Sequence, residues 1–168
     1  MAAAKGDGVE TALRPTGDTQ PAFLAGGGEM GARIAAFDWA ATSVGPIDAW
    51  SQSLRSIVAF MVNCPVPLVM LWGDDGIMLY NDGYSAFAGD RHPRLLGSKV
   101  LEGWPEVAEF NAHVMKVGLA GGTLAYRNHV LRLNRTGSFE DVWLNLDYSP
   151  VFGDDGAPAG VLAVVIET

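Results

Sequence analysis

The chain has one cysteine, Cys64, in 168 residues, which excludes an internal disulfide and any multi-cysteine metal site. A reducing compartment suits such a chain, and the cytosol is the expected location. Basic residues are scarce as well. Eleven Lys and Arg stand against nineteen Asp and Glu, and the net charge of -8 repels phosphate backbones and anionic lipid surfaces. Nucleic acid and membranes are therefore not expected partners. Long hydrophobic runs are missing: the most apolar window, Ile57 to Trp72, is shorter than the roughly 20 residues of a spanning helix and is broken by Asn63, Pro65 and Pro67. The N-terminal stretch lacks the apolar segment of a secretory leader. Gly26 to Gly28 follow no strand and precede no Gly-Lys-Ser/Thr ending, so they read as linker and not as a phosphate loop. A nucleophile elbow, carboxylates paired at helical spacing and a His-x-x-x-His pattern are also lacking, and catalysis has little support. The domain itself is expected not to be an enzyme.

What is present is core-forming material: 49% hydrophobic residues, five of them tryptophan, enough to exclude a disordered chain. Three parts are expected. Residues 1–28, rich in Ala, Gly, Thr and Asp, read as a flexible tail; residues 29–63 as an N-terminal helical extension; residues 64–168 as the core domain. In the extension, Met30, Ile34 and Phe37 recur at helical spacing up to about Trp39. Pro46 suits the start of a second helix, whose stripe of Ile47, Trp50, Leu54, Ile57, Val58 and Met61 runs to Val62.

In the core, two apolar runs, Val66 to Trp72 and Ile77 to Tyr80, flank a Gly/Asp turn and predict a hairpin. The stretch from Asn81 to Gly97 is polar and glycine-punctuated, with short helical turns at most. Val107, Phe110, Val114 and Val117 predict a helix ended by Gly121 and Gly122. Three strands follow, at Tyr126 to Leu133, Val142 to Tyr148 and Gly160 to Ile166. In the middle one Val142, Leu144, Leu146 and Tyr148 alternate with Trp143, Asn145 and Asp147, so one face is apolar and the other mixed. Strand runs separated by a helical block predict an antiparallel α+β domain.

The run PVPLVMLWGDDGIMLYN ending at Asn81, the helical middle, and WLNLDYSPVFGDDGAPAGVLAVVIE from Trp143 to Glu167 resemble a PAS domain. The opening, from Gly28 through Asp38-Trp39, Gly45-Pro46 and Leu54-Arg55, resembles the leading part of PAS sensor segments in bacterial histidine kinases. The resemblance implies a five-stranded antiparallel sheet with helices over one face, enclosing a small hydrophobic pocket. It also implies a sensory or protein-interaction module in signal transduction, as in two-component systems. Such a module relays a signal to a histidine kinase or other output domain, as a homodimer. The helix from Pro46 to Val62 could cap its own sheet or pair with a second copy.

The resemblance also frames the cofactor question. A LOV flavin photoreceptor needs Asn-Cys-Arg-Phe-Leu-Gln in a helix after the second strand, whereas Asn63-Cys64 is followed by Pro65 and precedes the first strand. Leu144 stands where that subclass places its flavin-holding asparagine, with Asn145 one step away. Cys64 then reads as a small apolar side chain. A haem sensor would use a histidine on the helix before the third strand, a position His113 occupies. His129 shares a face with Leu131 and Leu133, and His92 lies in a polar loop. For small-molecule binding the candidates are Leu68, Met70, Tyr80, Leu144, Leu146 and Tyr148, which are equally ordinary core residues of an unliganded domain. Neither haem nor flavin is supported by motif, and the cofactor stays unknown. Asp147 and Glu140, the carboxylates an enzymatic reading would need, both read as solvated. Trp72, Trp104 and Trp143 read as packing or interface residues.

Overall fold

The structure, a computed structural model, describes residues 20–168. Of the expected tail, residues 1–19 lie outside the described residues. Within residues 20–28 a 3-10 turn at Ala22–Leu24 buries Leu24 completely. The glycines that suggested a linker permit this approach, since a Cβ on Gly27 would overlap Val62.

Helix α1 (Gly28–Ala36) buries Met30 and Ile34, and Phe37 ends it in extended backbone. The helix expected from Pro46 is split. Ile47–Ala49 is a single 3-10 turn, Trp50 is extended, and α2 (Gln52–Val62) starts after Ser51. Trp50 interrupts the helix because its indole is held elsewhere: Nε1 donates to the Gly45 carbonyl at 2.9 Å, and the ring meets Trp39 edge-on at 5.5 Å. Ser51 then caps α2, its Oγ accepting from the Leu54 amide at 3.2 Å. Such a cap contributes about 1 kcal/mol.

The remaining elements are β1 (Leu68–Trp72), β2 (Ile77–Tyr80), α3 (Asp82–Ala88), α4 (Val100–Gly103), α5 (Ala108–Leu119), β3 (Leu124–Asn134), β4 (Phe139–Phe152) and β5 (Pro158–Glu167). The strands form one sheet in the order β2-β1-β5-β4-β3, every neighbouring pair antiparallel. This is the expected five-stranded α+β architecture. In the stretch expected to hold only short turns, α3 forms because Asn81 caps it, accepting from the Tyr84 amide at 3.1 Å.

Register sorts the side chains into two faces. Val69 opposes Tyr80 and Ala163, Leu71 opposes Met78 and Val161, and Leu146 opposes Val165, so these residues share the inner face under α3, α4 and α5. Helix α5 lies close on that face because Gly118 has no side chain; a Cβ there would collide with Val161. The outer face is divided. Over β1 and β2 it is roofed by the N-terminal helices, and Leu68, Met70 and Leu79 are buried there. The roof is bonded down: the Ser53 amide donates to Asp154 Oδ1 at 2.9 Å, and the Met30 amide to Asp82 Oδ1 at 2.8 Å. Over β3, β4 and the end of β5 Val130, Trp143 and Ile166 remain exposed, at 46%, 46% and 38%. The α2 stripe of Leu54, Val58 and Met61 is buried within its own chain, so of the two uses open to this helix it has the first.

Candidate functional site

Between the inner sheet face and α3 to α5 lies a cavity of about 50 Å³. Its floor is Val69 and Leu71 on β1, Met78 on β2, Leu131 and Leu133 on β3, Leu144, Leu146 and Tyr148 on β4, and Val165 on β5. Its roof is Tyr84, Phe87, Val100, Trp104, Val107 and Asn111. No Asp, Glu, Lys, Arg or His is among these lining residues. Four side chains with a hydrogen-bonding group are: Tyr84, Trp104, Asn111 and Tyr148. The Tyr84 hydroxyl accepts from Trp104 Nε1 at 3.1 Å, and its own proton stays available. Asn111 and Tyr148 are 8% and 6% exposed, and neither is among the buried side-chain atoms left without a partner in the described residues, where Arg135 Nε stands alone. Burial pushes the Tyr84 and Tyr148 phenols well above the ordinary value, which keeps both protonated as donors at neutral pH.

Of the residues singled out in the sequence, the structure brings Leu144, Leu146 and Tyr148 together on the cavity floor and leaves four elsewhere. Leu68 and Met70 point to the outer face, because β1 alternates and Val69 and Leu71 take the inner one. Tyr80 is on the inner face but outside the cavity. Its hydroxyl is paired with His92 Nδ1 at 2.9 Å, its ring lies 5.2 Å from Tyr84, and burial pushes its phenol up to about 12. His113 is exposed on α5, where Asn111 and Val114 take the buried side. His129 is half-buried beside the cavity, stacked 5.5 Å from Phe110 and 4.9 Å from Tyr126. A β-bulge at Asn128, φ 50°, puts Tyr126 and His129 on one face although they are three residues apart. Asp147 and Glu140 are engaged by Arg127 at 2.8 Å and Arg135 at 3.2 Å.

Two structural centres escaped the sequence reading. Asn81, 1% exposed, joins three elements: its Oδ1 accepts from Leu68 and Tyr84 amides, and its Nδ2 faces the Met61, Cys64 and Val66 carbonyls at 2.8–3.1 Å. An asparagine ahead of Asp82 and a short apolar-containing run is a helix-start signal that could have found it. The other is the Arg91–Glu106 pair, 2.8 Å, behind the cavity roof. Arg91 also donates to the Gly103 and Asn134 carbonyls and lies 4.5 Å over the Trp104 ring. For the Glu106 carboxyl, burial is the largest influence and acts upward. Arg91 and the Asn134 amide outweigh it and hold the group below its ordinary value.

No family model and no curated protein matches the chain. Solved structures do. The chain is similar to a variant of RsLOV at 23% identity, over 69% of this chain and 68% of that one, with a TM-score of 0.54. It is similar also to the PAS domain of BvgS from Bordetella pertussis, at 18% identity over 70% and 88%, with a TM-score of 0.54. The fold is a PAS fold. It is shared with LOV domains, the LOV protein of Rhodobacter sphaeroides among them, at 21% identity over 69% and 67% and a TM-score of 0.53.

Neither the flavin nor the haem weighed from the sequence fits this PAS cavity. Sites for molecules of drug size occupy about 300–1,000 Å³, several times the volume here. Cys64 lies between α2 and β1, its carbonyl bonded to Asn81, and does not line the PAS cavity. Asn145 faces outward and accepts from the Asn128 amide at 2.8 Å, while Leu144 faces in.

Proposed function

We propose that the chain is a sensory and protein-interaction PAS module that acts as a homodimer and relays a signal to a histidine kinase or other output domain in the cytoplasm. One observation carries this reading: three of the five strands that line the cavity, β3, β4 and β5, also form the open half of the outer face. On β4, Leu144 and Leu146 look into the cavity while Trp143, their neighbour, is exposed; on β5 the same holds for Val165 and Ile166. A change of packing in the cavity therefore acts one residue away from a surface on which a second copy can sit. Residues 64–168 supply the cavity, and residues 29–63 roof the other half of the sheet.

Charge supports a second copy at this place. The protein carries -8 overall, so most faces of two copies repel. Beside Val130, Trp143 and Ile166, however, Arg127 pairs with Asp147 and Arg132 with Asp141, which leaves the patch neutral and able to meet itself across a two-fold axis. The test is light scattering across a concentration series. Wild-type protein is expected to dimerise and Trp143→Asp to remain monomeric with an unchanged melting temperature. Wild-type protein that stays monomeric at every concentration would remove the homodimer.

A second reading, a sensor that binds a small molecule, is favoured by the cavity between the sheet and α3 to α5. It supplies the stimulus that the first reading leaves open.

A further inference from the structure

One contact between the N-terminal roof and the core runs through a histidine, the residue type whose charge changes between about pH 5 and 8. From its geometry we propose that His92 is a pH-sensitive latch: when the ring is protonated, α1 is held more firmly on the core. As a property of the fold this stands alone; as an input to signalling it rests on the reading of the chain as a sensory module.

Two elements meet at opposite nitrogens of the ring. Nδ1 lies 2.9 Å from the Tyr80 hydroxyl on β2, and Nε2 lies 3.4 Å from Glu29 Oε2 on α1. The His92 side chain is only 14% exposed, that of Glu29 54%. A carboxylate only accepts, so in the neutral ring Nε2 carries the proton toward Glu29 and Nδ1 accepts from the phenol. In the charged ring both nitrogens donate, and the Tyr80 oxygen becomes an acceptor.

The sign follows from what leaves with α1. Tyr80 stays on the core whether α1 is docked or not, so its bond to His92 does not enter the docking balance. Glu29 and Arg33 leave together, joined at 2.6 Å through the same Oε2. Protonation of His92 therefore adds an attraction to Glu29 and a repulsion from Arg33. The carboxylate touches the ring, whereas the guanidinium is 44% exposed and screened by solvent, so attraction wins. The Glu29 carboxyl is accordingly held below its ordinary value, first by Arg33 and next by His92. The charged groups nearby are engaged elsewhere. Asp82 on α3 accepts from the Met30 amide, Arg91 is bonded to Glu106, and Asp90 and Arg94 line a separate cleft with Glu102.

The test is amide hydrogen exchange of the full chain, corrected for intrinsic rates, from about pH 5.5 to 7.5 at constant ionic strength. The His92 ring is followed by NMR in the same samples. Asp and Glu side chains ordinarily titrate near about pH 4, below this window. In wild-type protein the α1 amides are expected to become about threefold better protected as the pH falls, in step with the His92 ring; that size suits an ion pair with one exposed member. The amides of Val161 and Ala163 on β5 should not follow. Glu29→Gln, an exposed change that keeps Met30 and Ile34 in place, should abolish the gain, and so should His92→Gln. His113→Gln, on the exposed side of α5, should keep it. No gain in wild-type protein, a gain that survives in both Glu29→Gln and His92→Gln, or protection that falls as His92 becomes charged would overturn the latch. None of these outcomes bears on dimerisation through Trp143, so the two readings fail separately.

Discussion

Leu68 and Met70 on β1 and Val130 and Trp143 on β3 and β4 lie on the same side of one sheet and are all apolar, yet the first pair is 3% and 0% exposed and the second 46% and 46%. Residue type does not separate them. What separates them is the reach of the N-terminal roof, and that reach is set by a few polar bonds: Ser53 to Asp154 at one end of α2, Asn81 to the Met61 carbonyl at the other, and Met30 to Asp82 beside it. The two halves differ in their borders as well. The open half is edged by exposed ion pairs, each worth little in stability, while the roofed half is closed by a buried asparagine. An apolar sheet face is thus core or contact surface according to what is anchored over it.

The comparison can be broken most sharply at Asn81. Asn81→Leu leaves the Leu68 and Tyr84 amides and the Cys64 and Val66 carbonyls without this partner and should cost about 4 kcal/mol in urea unfolding; a loss below about 1 kcal/mol would mean that the roof is held by packing alone. Next, Met70→Ala under the roof should cost about 3 kcal/mol, as large-to-small changes in a filled core do. The inner side provides a control that does not depend on the roof. Glu106 has its carboxyl held below 4.5 in the folded state, so its contribution is fully present above the unfolded value and is lost as pH falls through the lower, folded one. Glu106→Gln should therefore destabilise by about 2 kcal/mol at neutral pH and flatten the acid limb of the stability profile. A profile that keeps its slope in the variant would assign that limb to other carboxylates. The smallest effect belongs to the open half: Trp143→Ala should change monomer stability by less than about 0.5 kcal/mol. If Trp143→Ala costs as much as Met70→Ala, the two halves are energetically alike and the distinction fails.

Strand content and the helix α5 were legible because they rest on periodicity. Alternation placed Leu144, Leu146 and Tyr148 on one face, and there they line the cavity. The same rule could not say which face of β1 is inner, because both faces of that strand are buried and the apolar run Leu68–Trp72 carries no alternation. Leu68 and Met70 were therefore assigned to the wrong side. His113 was misplaced for a related reason: apolar neighbours at i−3 and i+4 mark the edge of a helical stripe as readily as its centre. The rest of the cavity roof was illegible. Tyr84 and Phe87 on α3 and Trp104 after α4 come from short elements whose positions follow from the Asn81 cap and from the Arg91–Glu106 pair, which holds Trp104 from outside.

The amino-acid order by itself determined the local matters: which segments are pleated, where the chain turns, an excess of negative charge, and a domain of α+β class. These follow from side-chain alternation and backbone preference, which act over a few residues. Tertiary structure alone decided which half of the outer face is covered, that Gly27 is buried against Val62, and that the cavity is small and lined without a charged side chain. Each of those depends on which side chains from separate elements meet, and such meetings are fixed only when the whole core closes.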